Sequence, residues 1–260
     1  AAGAIPRAFF LTIGLPARDD AWLAGFTKGM TELSRQAGCP LLGGDTTRTA
    51  KVGDIHAPVT ISITAMGELP QSMGLTRSGA RPGDDIWVSG CVGGAWAALM
   101  HRWGKLTLDA RVFPAAALAM DRPNPRNALG TALLSSATAC ADISDGLAQD
   151  LGHILERSGV DADVLWDAVP KHPALAALSQ EQQVEAAMSG GDDYELVFTA
   201  PADKRGLIEQ ASISALTPVT RIGRIVEKKP SGAPLAIRDA SGRPLFLPVQ
   251  GFDHFAQSAD

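Results

Sequence analysis

Cysteine is scarce: Cys39, Cys91 and Cys140 are the only three in 260 residues. Their odd number, wide spacing and lack of any CxxC or Cys/His pattern exclude a disulfide framework and a zinc module. They read as reduced, mostly buried thiols, which predicts a cytoplasmic protein. Long apolar runs are also missing, since none approaches the roughly 18 residues of a membrane span. The N-terminus has no basic region followed by an apolar stretch and a cleavage site, which argues against a signal peptide. Basic residues are outnumbered, 23 Lys and Arg against 28 Asp and Glu, and no dense basic run occurs. A net charge of −5 argues against a nucleic-acid or membrane-surface binder, so any phosphorylated ligand must be held by local features. Nor do the histidines join a Ser-His-Asp or Cys-His set; His101, His153 and His172 lie in helical or proline contexts that favour structural roles.

What the chain has is apolar content, 45% of its residues, enough for a sizeable core in one large or two ordinary domains. Ala1 to Ala4 reads as the end of a helix and Ala8 to Leu15 as a buried strand. Asp19 and Asp20 open a helix through Gln36, with Trp22, Phe26, Met30 and Leu33 as a core-facing stripe and Gly38 as the stop. Pro58 to Met66 alternates, with Val59, Ile61, Ile63 and Ala65 on one face of a half-buried strand. Turn formers cluster from Thr76 to Asp85 and mark a domain boundary, giving an N-terminal domain over 1–74 and a C-terminal domain over 75–260. A strand at Ile86–Ser89 then leads through Gly90, Gly93 and Gly94 into a helix. That glycine turn lacks the GxxxxGK[ST] spacing, and close packing explains it better than a phosphate cradle.

Carboxylates recur beside glycines at three places. Gly43-Gly44-Asp45-Thr46-Thr47 reads as a turn past a short strand, with Asp45 facing a ligand or bonding its own turn. Asp142-Ile143-Ser144-Asp145-Gly146 runs into Leu147, Leu151, Ile154 and Leu155 at helical spacing, which predicts a helix N-terminus. Two carboxylates three residues apart there suit a divalent cation with oxygen ligands, and Ser144 with the first free N–H groups suits a phosphate. A Ser or Asp cap followed by glycine accounts for the same residues. Gly190-Gly191-Asp192-Asp193-Tyr194-Glu195 repeats the pattern at the entry to another strand. Carboxylate-held cations and a helix N-terminus, with no nucleophile and base, point to phosphoryl transfer.

These segments, with Arg77-Ser78-Gly79-Ala80 and Gly251-Phe252-Asp253-His254-Phe255, resemble thiamine-monophosphate kinase of the aminoimidazole ribonucleotide synthetase superfamily. They occur in that family's order over nearly the whole chain. The Asp-Ile-Ser-Asp-Gly-Leu form favours the thiamine enzyme over its superfamily relatives. The resemblance implies an α/β (α+β) fold of two α+β domains, the first completing a β-barrel across a homodimer. It implies Mg2+-assisted phosphorylation of thiamine monophosphate by ATP. Carried over by motif, Asp45, Asp142 and Asp145 are expected as magnesium ligands. Gly44, Arg77 and Ser144 are expected on ATP. Asp192 and Phe252 are expected on the thiamine substrate, with Phe252 stacked on the pyrimidine.

Two departures from the family stand out. Glutamate is usual where Asp192 stands, so this contact is one methylene shorter. The family's N-terminal segment, which carries further metal ligands, has no counterpart before Ala1; the expected whole protein is about 60 to 75 residues longer. Its absence predicts an incomplete metal site and an open sheet edge. Two other readings stay open: another ATP-dependent enzyme of the superfamily, or a non-catalytic protein that binds nucleotide or thiamine phosphate.

Overall fold

A computed structural model describes residues 1–53, 55–70 and 74–245 and divides the chain into two units, Ala4–Ser72 and Ala1–Gly3 with Met73–Asp260.

In the smaller unit, β1 (Ile5–Leu15) is followed by α1 (Asp20–Ala37). The helix starts where the Asp19 side chain accepts the Trp22 N–H at 3.0 Å and stops at Gly38, which adopts φ 62°. β2 (Leu41–Arg48), the short pair β3 (Lys51–Val52) and β4 (Ile55–His56), and β5 (Thr60–Glu68) complete the unit. The sheet order is β2-β1-β5, with β2 parallel and β5 antiparallel to β1. Four expectations change here. Ala1 to Ala4 contains no helix. Gly43–Thr47 is not a turn but lies inside β2, where Asp45 pairs with Thr12 of β1. The glycine is needed because the two backbones nearly touch: a Cβ on Gly44 would sit 1.8 Å from the Leu11 carbonyl oxygen. Third, α1 buries no residue; Trp22 and Phe26 stack on each other at 5.3 Å instead of entering a core. Fourth, every residue of β5 is exposed rather than half-buried, with Ile61 at 42% and Ile63 at 54%.

The larger unit holds β6 (Asp85–Ser89), α2 (Gly94–Arg102), α3 (Phe113–Asp121), α4 (Asn127–Ala132), β7 (Ala139–Asp142), α5 (Leu147–Ser158) and β8 (Asp161–Leu165). It continues with α6 (Gln180–Val184), β9 (Leu196–Ala200), α7 (Arg205–Ser214), β10 (Val219–Val226) and β11 (Leu235–Arg238). Its six strands run β11-β8-β10-β6-β9-β7, antiparallel except for β11 on β8. β6 and β9 lie inside the sheet and are buried along their whole length, and their apolar stretches are Ile86–Val88 and Leu196–Phe198. Alternate residues feed two cores. Ile86, Val88, Ala139 and Ala141 meet Leu147, Leu151, Ile154 and Leu155 of α5, each at most 1% exposed. Trp87, Cys140, Leu196 and Phe198 meet Leu129 of α4 and Ile208 and Ala211 of α7. Burying each large apolar side chain contributes about 1.5–3 kcal/mol, which fixes the strand ends that carry the site.

Candidate functional site

β7 forms one edge of the six-stranded sheet, and its last residue, Asp142, pairs with Leu196, the first of β9. The ladder continues beyond both strands. Ile143 donates its N–H to the Glu195 carbonyl at 2.8 Å, Tyr194 donates to the Ile143 carbonyl at 2.8 Å, and Asp192 donates to the Ser144 carbonyl at 2.9 Å. These bonds hold the segment Asp142–Asp145 directly against Asp192–Glu195, although about fifty residues of chain separate them.

Glycines make the approach feasible. A Cβ on Gly191 would fall 2.3 Å from the Ser144 carbonyl oxygen. Gly146, at φ 118°, would meet the Met188 carbonyl oxygen at 2.9 Å. On the other strand Asp192 and Tyr194 adopt φ 66° and 51°. A left-handed backbone costs roughly 1–2 kcal/mol at such residues, and the cross-segment hydrogen bonds offset it.

The helix begins later than the spacing suggests. Asp142 ends a strand, and α5 starts at Leu147 with Gly146 as its cap. The reason is Asp150, whose buried carboxylate turns back to accept the N–H groups of Ser144 at 2.9 Å and Asp145 at 3.0 Å. Those two donors are therefore committed to the protein. Burial pushes the Asp150 carboxyl above the usual range; the charges of Asp145 and Asp142 add to this and the two N–H groups oppose it.

Asp142, Ser144 and Asp145 are half-buried, and Gln149 donates to Asp145 at 3.1 Å. Tyr194 donates its hydroxyl to Asp192 at 3.0 Å. Burial raises the phenol above its usual range, followed by that hydrogen bond and by the charges of Asp192, Asp142 and Asp145. One hydroxyl thus feels three of the predicted site carboxylates. The local charge around it is negative.

Arg77 is exposed and lies on a segment laid along β7, where Cys140 donates to the Thr76 carbonyl at 2.9 Å. A Cβ on Gly79 would strike the Thr138 carbonyl oxygen at 2.4 Å, and the Ser158 hydroxyl accepts the N–H groups of Gly79 and Ala80 at 3.2 Å. The larger unit therefore collects Asp142, Ser144, Asp145 and Asp192 at one sheet end, with Arg77 on the neighbouring segment. Gly44 and Asp45 belong to the smaller unit. Phe252 lies outside the described residues.

Sequence reasoning missed the groups behind this surface. Asp193 and Glu195 turn inward, and Arg126 pairs with Glu195. The Asp-Asp-Tyr-Glu alternation at a strand entry was the available signal for the inward carboxylates. Arg126 had none, because it arrives from a loop. Two of the histidines are structural: His101 Nδ1 accepts the Leu108 N–H at 3.1 Å, and buried His172 accepts the Ala174 N–H at 3.2 Å. The glycine turn before α2 is close packing, with Gly94 against the His172 ring and Gly93 against Leu175 and Ala186.

The sequence matches two family models, AIR synthase related protein, N-terminal domain, over residues 1–69, and AIR synthase related protein, C-terminal domain, over residues 81–234. Thiamine-monophosphate kinase of Haemophilus influenzae is 36% identical over 261 aligned residues, covering 99% of this chain and 76% of that protein. The chain belongs to the thiamine-monophosphate kinase family. Solved structures agree. The crystal structure of thiamine-monophosphate kinase from Stenotrophomonas maltophilia K279a is 40% identical with a TM-score of 0.82, covering 91% of this chain and 73% of that one. A structure described as AaThiL complexed with AMPPCP and TMP is 26% identical with a TM-score of 0.78, covering 98% and 75%. Thiamine-monophosphate kinases are phosphotransferases, so this chain is an enzyme of that class.

Proposed function

We propose that this enzyme transfers the γ-phosphoryl group of ATP directly to thiamine monophosphate, giving thiamine diphosphate and ADP with the assistance of Mg2+. The observation that carries the reading is the main-chain pairing of Asp142–Asp145 with Asp192–Glu195, in a chain of this family. It gathers the residues expected to hold metal and nucleotide beside a residue expected to hold the acceptor. A relative solved with AMPPCP, an analogue of ATP, and TMP supports the same substrate pair.

The donor set fits magnesium of one kind. Among the described residues no three His, Cys, Asp or Glu side chains form a metal site by themselves. Magnesium is usually bound through one or two carboxylates together with substrate phosphates and water, and Asp142 and Asp145 supply such a pair. Asp45 is proposed as a magnesium ligand on the family resemblance. When bound, magnesium neutralises the polyphosphate and the charge that develops during transfer.

In this reading Ser144, Gly44 and Arg77 contact ATP, the guanidinium being suited to a phosphate at two points. Asp192 and Phe252 contact the thiamine. The acceptor oxygen belongs to a phosphate already largely ionised near neutral pH, so in-line attack needs no strong general base. Positioning and charge neutralisation supply the rate. The exposed apolar face of β5 supports a homodimer closed through that sheet, and the free, scattered thiols support a cytoplasmic location. Among the described residues no helix is long and apolar enough to cross a membrane.

The test is ADP release with ATP, Mg2+ and thiamine monophosphate, compared with Asp142→Ala. Thiamine-dependent turnover abolished by the substitution is the expected result. Folded protein that releases no ADP in response to thiamine monophosphate would sink the proposal.

A further inference from the structure

The four residues entering β9 split into two pairs. Asp192 and Tyr194 are exposed and bonded to each other. Asp193 and Glu195 point the other way, into the loop between β6 and α2. The Asp193 carboxylate accepts the Gly93 N–H at 2.8 Å and also that of Ala95, at the start of α2. Glu195, 5% exposed, receives two hydrogen bonds from Arg126, one of them at 2.7 Å, and a third from the Ser89 hydroxyl. The same Ser89 oxygen accepts the Leu196 N–H at 2.8 Å. Gly90, at φ 56°, leaves room for the carboxylate: a Cβ there would lie 1.9 Å from Glu195 Oε1.

A buried ion pair is weak evidence of a stability device, since desolvation of both charges cancels much of their attraction. Its geometric effect is specific. Two left-handed residues, Asp192 and Tyr194, persist only if their surroundings over-determine them. Asp193 sits between them and Glu195 follows directly. With both inward carboxylates fixed, the outward pair has one orientation.

We propose that Arg126 and Glu195, with Ser89, are positioning residues for the phosphoryl acceptor: they lock Asp192–Glu195 so that Asp192 and Tyr194 together face the thiamine substrate. This rests on the reading of Asp192 as a substrate contact and adds Tyr194 to it. The ion pair acts through the backbone and touches no reacting atom.

The experiment uses Arg126→Lys, Glu195→Gln and their double variant, with Ser89→Ala as a milder change that removes one hydroxyl. Amide hydrogen exchange is read by mass spectrometry, and KM is measured for each substrate. Exchange over residues 190–196 should accelerate about tenfold while that of α7 stays unchanged. KM for thiamine monophosphate should rise about tenfold while KM for ATP stays within about twofold. The double variant should be no worse than the worse single one, as for groups acting as a unit. Equal exchange changes across the protein, unchanged exchange over 190–196, or equal rises in both KM values overturn the proposal. Wild-type protein without thiamine-dependent turnover defeats the functional reading instead, and the exchange pattern still decides whether the ion pair locks the segment.

Discussion

The carboxylate of Asp150 accepts the main-chain N–H of Ser144 at 2.9 Å, six residues back along the chain. The helix thereby folds its own side chain under the turn that carries the proposed metal ligands. The positions of Asp142 and Asp145 depend on this inward anchor as well as on the pairing with Asp192–Glu195.

Asp150→Ala strands two N–H donors, those of Ser144 and Asp145, in a half-buried turn. Each unsatisfied donor costs about 1–3 kcal/mol. Urea denaturation should show a loss of about 2–4 kcal/mol, and turnover should fall together with stability. Asp150→Asn keeps one acceptor oxygen and should lose less of both.

Asp142→Asn and Asp145→Asn should behave in the opposite way. Their charges act against that of buried Asp150, so neutralising one without metal should leave the melting temperature unchanged or slightly raised. Turnover should fall about 100- to 1,000-fold, the usual effect of removing one group that stabilises transition-state charge. A large drop in melting temperature, with activity retained, would contradict the assignment.

Two glycines should respond with opposite sign to the same substitution. Gly191→Ala drives a methyl to 2.3 Å from the Ser144 carbonyl oxygen and separates the two acidic segments. It should cost about 1–3 kcal/mol and most of the activity. Gly152, inside α5, has no atom within 4 Å of its Cβ direction. Gly152→Ala should stabilise by about 0.5–1 kcal/mol with turnover unchanged. Thermal melts and steady-state assays on the two variants check both statements.

Burial pushes the Asp193 carboxyl up to about 7; the charges of Glu195 and Asp192 act in the same direction, against the N–H groups of Gly93 and Ala95. A carboxyl whose pKa is higher folded than unfolded binds more protons in the folded state between the two values. Stability from this group is therefore lost as pH rises from about 4 toward 7. Asp193→Asn should flatten that limb of the stability profile in urea titrations taken every half pH unit. An unchanged slope would place the ionisation elsewhere.

Ile61 and Ile63 of β5 are 42% and 54% exposed and point to the same side of the smaller unit's sheet. If that face closes a homodimer, Ile63→Lys should shift the mass measured by light scattering from two chains to one. Wild-type protein that is already monomeric at micromolar concentration would exclude this surface as a stable interface.

Local signals carried much of the fold. Asp19, the apolar spacing of α1 and Gly38 announce that helix, and Leu147, Leu151, Ile154 and Leu155 announce α5, because capping and 3.6-residue periodicity act over a few residues. The ordered motifs likewise determined the family, since each glycine and carboxylate was readable in place. Tertiary structure alone decided the rest. Gly43–Thr47 looked like a turn because two adjacent glycines permit one; backbone contact with Leu11 makes them a strand. The stripe of α1 and the alternation of β5 predicted burial, yet amphipathic spacing gives the face and not what covers it. Which carboxylates face outward, and that Arg126 meets Glu195 across 69 residues, follow from the β7–β9 ladder and from hydrogen bonds that no local window contains.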